Sequence, residues 1–296
     1  MRGRRLLAAL LLCCLLPGFA AFAEAAPDEL ESVPLYIDGL LSARAYQKDG
    51  ACFLPLRALC LLLGETPEWK ETDGSLTLTI GPLTVTGKRA QSWMEAEGRC
   101  LWAPEGWLKR GEELYLPLGL TEKLFAVTGS FDGKRCELST DTLALLRGGE
   151  DYYALNFAAD ELYWLCRIIH AEAGGEPLAG KIGVGNVVMN RVKSPDFPNS
   201  LFEVIFDASA AVQFEPLTLD GIQDEEPGEE SVLAAHLVLE GANTVGESLF
   251  FVNPAAYRGN WFESALVRTV KIGRHQFYIP PEKEDSHAGT DSEPGL

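Results

Sequence analysis

The period of the hydrophobic pattern changes near residue 140, and that change divides the chain into two units of different architecture. From about Val33 to Ser139 the apolar residues alternate, as in Pro34-Leu-Tyr-Ile-Asp, Ser75-Leu-Thr-Leu-Thr-Ile-Gly, Leu83-Thr-Val-Thr-Gly and Glu113-Leu-Tyr-Leu-Pro. Alternation in short runs bounded by Gly, Asp and Pro predicts strands and hairpins. A short amphipathic helix interrupts them from Leu54, with a Pro near its start and Gly64 past its end. A related stretch begins at Leu114, so the two "LPL" units form a weak internal repeat. Residues 140–156 read as a linker, and a domain rich in helical spacing follows over 157–280. The Glu/Asp/Ser/Gly/Pro-rich tail, 281–296, has the composition of a disordered segment. The expected fold class is α+β, with a small mainly-β unit ahead of a larger helical one.

The N-terminus is expected to be processed. Arg2, Arg4 and Arg5 precede an apolar run from Leu6 to Leu16, Pro17-Gly18 breaks it, and Ala21-Phe22-Ala23 is a small-x-small site. This is the pattern of a secretory signal peptide over residues 1–23. The run is short for a membrane span, which needs about 20 residues. No membrane association is expected after cleavage. Losing three arginines takes the formal net charge from −18 to −21. A chain this acidic is a poor nucleic-acid binder. Long-range attraction to any other polyanion is equally unfavourable, so contacts with one have to be local. Of seven cysteines, five remain after processing: Cys52, Cys60, Cys100, Cys136 and Cys166. They form no CxxC and no zinc-ligand spacing, so neither a metal nor another cofactor is expected. The first four are read either as disulfide partners or as buried thiols. Cys166 falls in a helical pattern as a core residue.

The segment that points to chemistry runs from Asp160 to Pro177. Leu165, Ile168, Ile169 and Glu172 stand at i, i+3, i+4 and i+7, which puts a carboxylate on the apolar face of a helix. Burial raises the pKa of such a group, as a general acid at neutral pH requires. Gly174-Gly175 leave backbone room beside it, and Pro177 opens a second helix. The plainer alternative is a solvent-facing Glu at a helix end. Glu176 sits where a carboxylate caps a helix, and is read as structural or as a partner of the site. In the second helix Gly183 and Gly185 permit close packing, and Asn190 either reaches the site or holds a turn. Further along, Gln213 and Phe214 on a loop are candidates to line a binding groove through an amide hydrogen bond and a stacking face. Asn253 at a turn, Trp261 in a Gly/Asn-rich loop, and His275 and Tyr278 on closing strands are further substrate-binding candidates. A His near a strand end is more often structural.

Two resemblances can be stated on these residues. "ACFLPLRALCLLLG" followed by "PEWKETDGSLTLTIG" resembles the copper amine oxidase N-terminal-like domain of secreted proteins, over about 33–139. That stretch contains no His, so no copper is expected, and the module reads equally as wall-binding or as a spacer. The blocks "RIIHAEAGGEPLAGKIGVGNVVMNRVKSPDFPNSLFEVIF", "VQFEP", "LFFVNP" and "IGRHQFY" resemble the SleB/CwlJ family of cell-wall hydrolases, in family order over about 160–279. This resemblance implies a lysozyme-like fold of the lytic-transglycosylase type, with Glu172 as general acid. It also implies peptidoglycan as substrate, cut between N-acetylmuramic acid and N-acetylglucosamine in spore cortex or cell wall. Enzymes of this type are often held inactive until germination, so a regulatory spore protein is an expected partner. The chain departs from the family pattern at Gly174, where Arg is common, and at Glu215, where a small or polar residue is usual.

A conventional glycosidase uses two carboxylates at a defined separation, and no second carboxylate motif stands out. A single carboxylate suits a lytic transglycosylase. His170-Ala-Glu172 resembles the HxE of zinc deaminases, but no PCxxC follows. HExxH and GxSxG are absent. The non-enzymatic alternative is a peptidoglycan-binding protein with a degenerate lysozyme-like domain.

Overall fold

A computed structural model describes residues 30–158, 160–206, 219–224 and 226–281. The signal-peptide and tail readings therefore lie outside the described residues, apart from Pro281. Among the described residues no helix is long and apolar enough to cross a membrane.

The N-terminal unit is a set of hairpins: β1 (Glu31–Ile37), β2 (Leu40–Lys48), β3 (Ala51–Pro55), helix α1 (Leu56–Leu62), β4 (Pro67–Thr72), β5 (Ser75–Ile80), β6 (Leu83–Lys88), β7 (Trp93–Ala96), β8 (Arg99–Trp102), β9 (Leu108–Arg110), β10 (Glu113–Pro117), helix α2 (Leu118–Phe125), β11 (Thr128–Phe131) and β12 (Cys136–Ser139). Strands β4 to β8 form a meander, and the others make a seven-stranded sheet in the order β11-β12-β1-β2-β3-β10-β9. The turns are written in the sequence. At Asp73-Gly74 both residues have positive φ, 51° and 72°. That is the backbone of the two-residue hairpin turn whose twist matches the flanking strands. The same pairing recurs at Asp38-Gly39, Asp49-Gly50 and Glu97-Gly98. The two "LPL" units are neighbours: β3 and β10 pair antiparallel with Leu54 opposite Leu116, and each strand runs through a Pro into its helix. Both leucines are fully buried, which explains why the motif repeats.

The C-terminal unit contains α3 (Gly149–Asn156), α4 (Glu161–Ala173), α5 (Leu178–Lys193), α6 (Leu201–Phe206), α7 (Leu219–Asp224), α8 (Glu229–Leu239), β13 (Phe250–Val252), α9 (Trp261–Ala265), β14 (Val267–Ile272) and β15 (His275–Ile279). Its antiparallel sheet has the order β13-β15-β14. The fold class is thus α+β. Helix α5 is central, with every residue from Gly180 to Val188 buried. Its two inner glycines explain how it fits. A Cβ on Gly183 would lie 2.8 Å from both Phe277 and Val245, and one on Gly185 would lie 2.8 Å from Val238 and 2.9 Å from Ile169. Gly183 therefore admits the sheet side, and Gly185 admits α4 and α8. Within residues 140–156, read as a linker, Gly149–Asn156 is helical. In α3 the aromatic Tyr153 packs with His236 of α8, which provides tertiary cover that the local composition does not reveal.

The five cysteines are free thiols, four of them buried. The neighbouring Cys136 thiol, together with burial, pushes the Cys52 thiol well up, while Cys136 itself is lowered. Desolvation likewise pushes Cys60 up to about 12. Thiols held this far above neutrality are poor nucleophiles, consistent with packing roles.

Candidate active site

Glu172 lies in the last turn of α4, on the side of Leu165, Ile168 and Ile169, which are fully buried, and is itself half-buried. An apolar helix face thus carries its final member, a carboxylate, to the edge of the core. The chain then turns at Gly174-Gly175 and enters α5 behind Pro177.

Three other elements converge on this turn. The N-terminus of α8 reaches α4 through His170, whose Nδ1 accepts the Gly228 N–H at 3.3 Å and lies 3.2 Å from Ser231 Oγ. Lys181 of α5 is buried, and its ammonium donates to the Glu176 carbonyl at 2.6 Å and to Glu230 of α8 at 2.5 Å. The β14–β15 hairpin supplies Arg274, whose backbone N–H and Nε donate to the two oxygens of Glu176 at 2.8 and 2.5 Å. Gly273, at the turn with φ +55°, is required because any side chain there would collide with the Glu176 carboxylate.

Glu176 is buried at 4% exposure. Its side chain makes no cap on α5, contrary to the capping expected from its position. The Arg274 donors are better partners for a carboxylate cut off from water. Burial pushes its carboxyl up, but the two Arg274 hydrogen bonds and the neighbouring charges outweigh burial and hold it below the ordinary value of 4.5. A depressed carboxylate contributes stability that is fully present above the unfolded-state pKa and is lost as pH falls through the folded one. Thermal midpoints followed from pH 6 to 3 should fall more steeply for the native chain than for Glu176→Gln. Parallel curves would remove this role from Glu176.

The remaining candidates separate into groups. Gln213 and Phe214, like Glu215, lie outside the described residues. Asn190 donates from Nδ2 to the carbonyls of Gly246 at 2.8 Å and Ser248 at 3.0 Å. One turn earlier Asn186 donates to the Ala242 carbonyl at 2.7 Å and accepts the Thr244 N–H at 3.0 Å. Together they staple the loop after α8 to α5. Asn253 closes its own turn by accepting the Ala255 N–H. Trp261 opens helix α9 rather than sitting in a loop, with Asn260 preceding it but making no side-chain cap. It is 40% exposed and packs edge-on against Phe250 and Phe262. Tyr278 is fully buried, and its hydroxyl donates to Glu263 at 2.7 Å. Burial and that acceptor push it up to about 12. His275 is buried against Phe251 and Phe277, and desolvation lowers its pKa despite the nearby Glu176.

Sequence reading passed over Arg274, Lys181 and Ser231. Arg274 had a signal, since it stands inside the "IGRHQFY" block beside His275. Among the described residues no group of His, Cys, Asp and Glu is arranged to hold a metal ion.

Comparison with known proteins places this unit. Residues 175–278 match the Cell Wall Hydrolase family. The match opens at Gly175, so Glu172 lies just outside it. The spore cortex-lytic enzyme of Bacillus subtilis (strain 168) is 32% identical over 124 residues, which is 41% of this chain and 38% of that protein. That of Bacillus cereus (strain ATCC 14579) is 28% identical over 121 residues, 41% of this chain and 45% of that protein. The chain thus spans less than half the length of these curated relatives. The solved catalytic domain of the germination-specific lytic transglycosylase SleB from Bacillus anthracis is 27% identical, covers 42% of this chain and 97% of that one, and superposes with a TM-score of 0.36. Within the C-terminal unit, residues 175–278 are thus similar to the Cell Wall Hydrolase family, and the chain resembles the spore cortex-lytic enzymes over 41% of its length.

Proposed function

We propose that this chain is an exported enzyme that cuts the glycan strand of peptidoglycan between N-acetylmuramic acid and N-acetylglucosamine, as a lytic transglycosylase. The reading rests on one observation above the others. The domain related to spore cortex-lytic enzymes is preceded by a half-buried carboxylate, Glu172, at a glycine turn where three elements meet. In the proposed reaction Glu172 protonates the leaving oxygen as the glycosidic bond breaks. The muramic 6-hydroxyl then attacks the anomeric carbon, and Glu172, now ionised, takes the hydroxyl proton. The products are a 1,6-anhydromuramic end and a new N-acetylglucosamine end, with no water consumed. The built-in nucleophile brings the advantage of intramolecular attack.

One further feature favours a single-carboxylate mechanism over one with a separate base, and another favours a sugar ligand. The neighbouring carboxylates are committed to cations, Glu176 to Arg274 and Glu230 to Lys181. Trp261, half-exposed beside Phe250, offers an aromatic face for sugar stacking. Spore cortex or vegetative wall is the substrate, and a regulatory spore protein is a fitting partner.

The test is mass spectrometry of muropeptides released by the purified chain from cortex and vegetative sacculi in parallel. Anhydro-muramic ends are the expected product. Reducing muramic ends would replace the internal nucleophile with water. No release from either material would favour a glycan-binding protein without activity.

A further inference from the structure

We propose that Arg274 positions the substrate by binding a carboxylate carried on the peptide substituent of a muramic acid residue. The inference rests on the glycan-strand reading above and adds a determinant to it.

Arg274 has an unusual combination of constraint and exposure. Its backbone N–H and Nε are both held by Glu176, which is buried. Its side chain is nevertheless 64% exposed. Glu176 therefore fixes the near edge of the guanidinium. The outer edge, with the remaining N–H donors of Nη1 and Nη2, has no hydrogen-bonding partner among the described residues. A planar fork with one edge fixed is already ordered for a second, bidentate acceptor, and carboxylates match that geometry.

The position of this edge connects it to the proposed reaction. Nη2 lies 2.7 Å from the point a Cβ on Gly175 would occupy, so the guanidinium takes up the space that glycine leaves open. Gly175 follows Glu172 by three residues, and Gly174 between them keeps helical backbone angles, φ −52° and ψ −35°. Gly175 lies just past the C-cap of α4, so the guanidinium packs on the turn that directly follows the proposed acid. The whole-chain charge adds a reason for a local cation. At −18 the chain repels an anionic wall fragment at long range, so a carboxylate-bearing peptide needs a positive group at the point of contact. The other nearby cation, Lys181, is buried and already carries two acceptors.

The experiment changes the substrate as well as the protein. Soluble glycan strands are prepared with peptide carboxylates free, or capped as methylamides, and turnover by the full chain is measured on both. Capping is expected to raise KM roughly tenfold, the scale of one charge-assisted hydrogen bond, and to leave kcat little changed. In Arg274→Gln the difference between the two substrates should vanish. The double variant Glu176→Gln/Arg274→Gln avoids an unpaired buried carboxylate and should behave alike. Equal KM for both substrates with the native chain would overturn the inference while leaving glycan cleavage intact, as would an undiminished capping penalty in either variant. Failure of the native chain to cleave either substrate would overturn the cleavage reading itself, and Arg274's role with it.

Discussion

Glu172→Gln is expected to reduce muropeptide release by about 10³–10⁴-fold, the upper part of the range for a positioned proton donor. The high end applies because one group serves twice, as acid toward the leaving oxygen and as base toward the muramic hydroxyl. Glutamine keeps the size and hydrogen-bonding capacity of the side chain but can neither give up nor take the proton. Folding should be unaffected. Glu172 is half-buried at the C-terminal end of α4, and the buried face of that helix is carried by Trp164, Leu165, Ile168 and Ile169. Release of anhydro-muropeptides and the unfolding midpoint, measured on the same preparation, separate the two effects. Activity within tenfold of the native chain would move the acid elsewhere. Glu215, in the "VQFEP" block, would then be the next carboxylate to replace.

The largest effect on stability is expected far from that site. Arg99 of β8 and Glu240 at the end of α8 form a bidentate pair, Nε to Oε1 at 2.7 Å and Nη2 to Oε2 at 2.6 Å. Their side chains are 6% and 0% exposed. The Tyr152 ring covers the guanidinium at 3.4 Å, and Trp93, Cys100 and Trp102 of the same hairpin pack on the core of the C-terminal unit. The N-terminal unit thus touches the C-terminal unit through a dry, charged contact. Arg99→Ala would strand the Glu240 carboxylate without a cation in a site closed to water. Breaking a buried pair from one side costs about 3–5 kcal/mol. Replacing both partners together, as in Arg99→Met/Glu240→Leu, should cost far less, because no charge is left behind. Urea unfolding of the three chains measures this directly. A loss below about 1 kcal/mol in Arg99→Ala would mean that water reaches the pair and that the two units are only loosely joined.

How much of this was legible depends on how far apart in the chain the interacting residues are. The Asp-Gly and Glu-Gly hairpins, the repeated "LPL" units and the span of α5 follow from residues within a few positions of one another. Turn geometry and hydrophobic period are local properties, and they survived folding nearly unchanged. The placement of Glu172 on the core side of α4 is of the same kind. Trp261 was misplaced by composition, since the Gly/Asn-rich stretch ends at Asn260 and a short helix opens at Trp261.

What the sequence determined by itself was the alternation of strands and helices, the two-unit order, and the one helix face that ends in a carboxylate. Tertiary structure alone decided which cation each buried carboxylate meets. Glu176 and Arg274 are 98 positions apart, and Arg99 and Glu240 are 141. The reason is physical: a buried charge takes whichever opposite charge the packing brings within reach, and no local pattern records that distance.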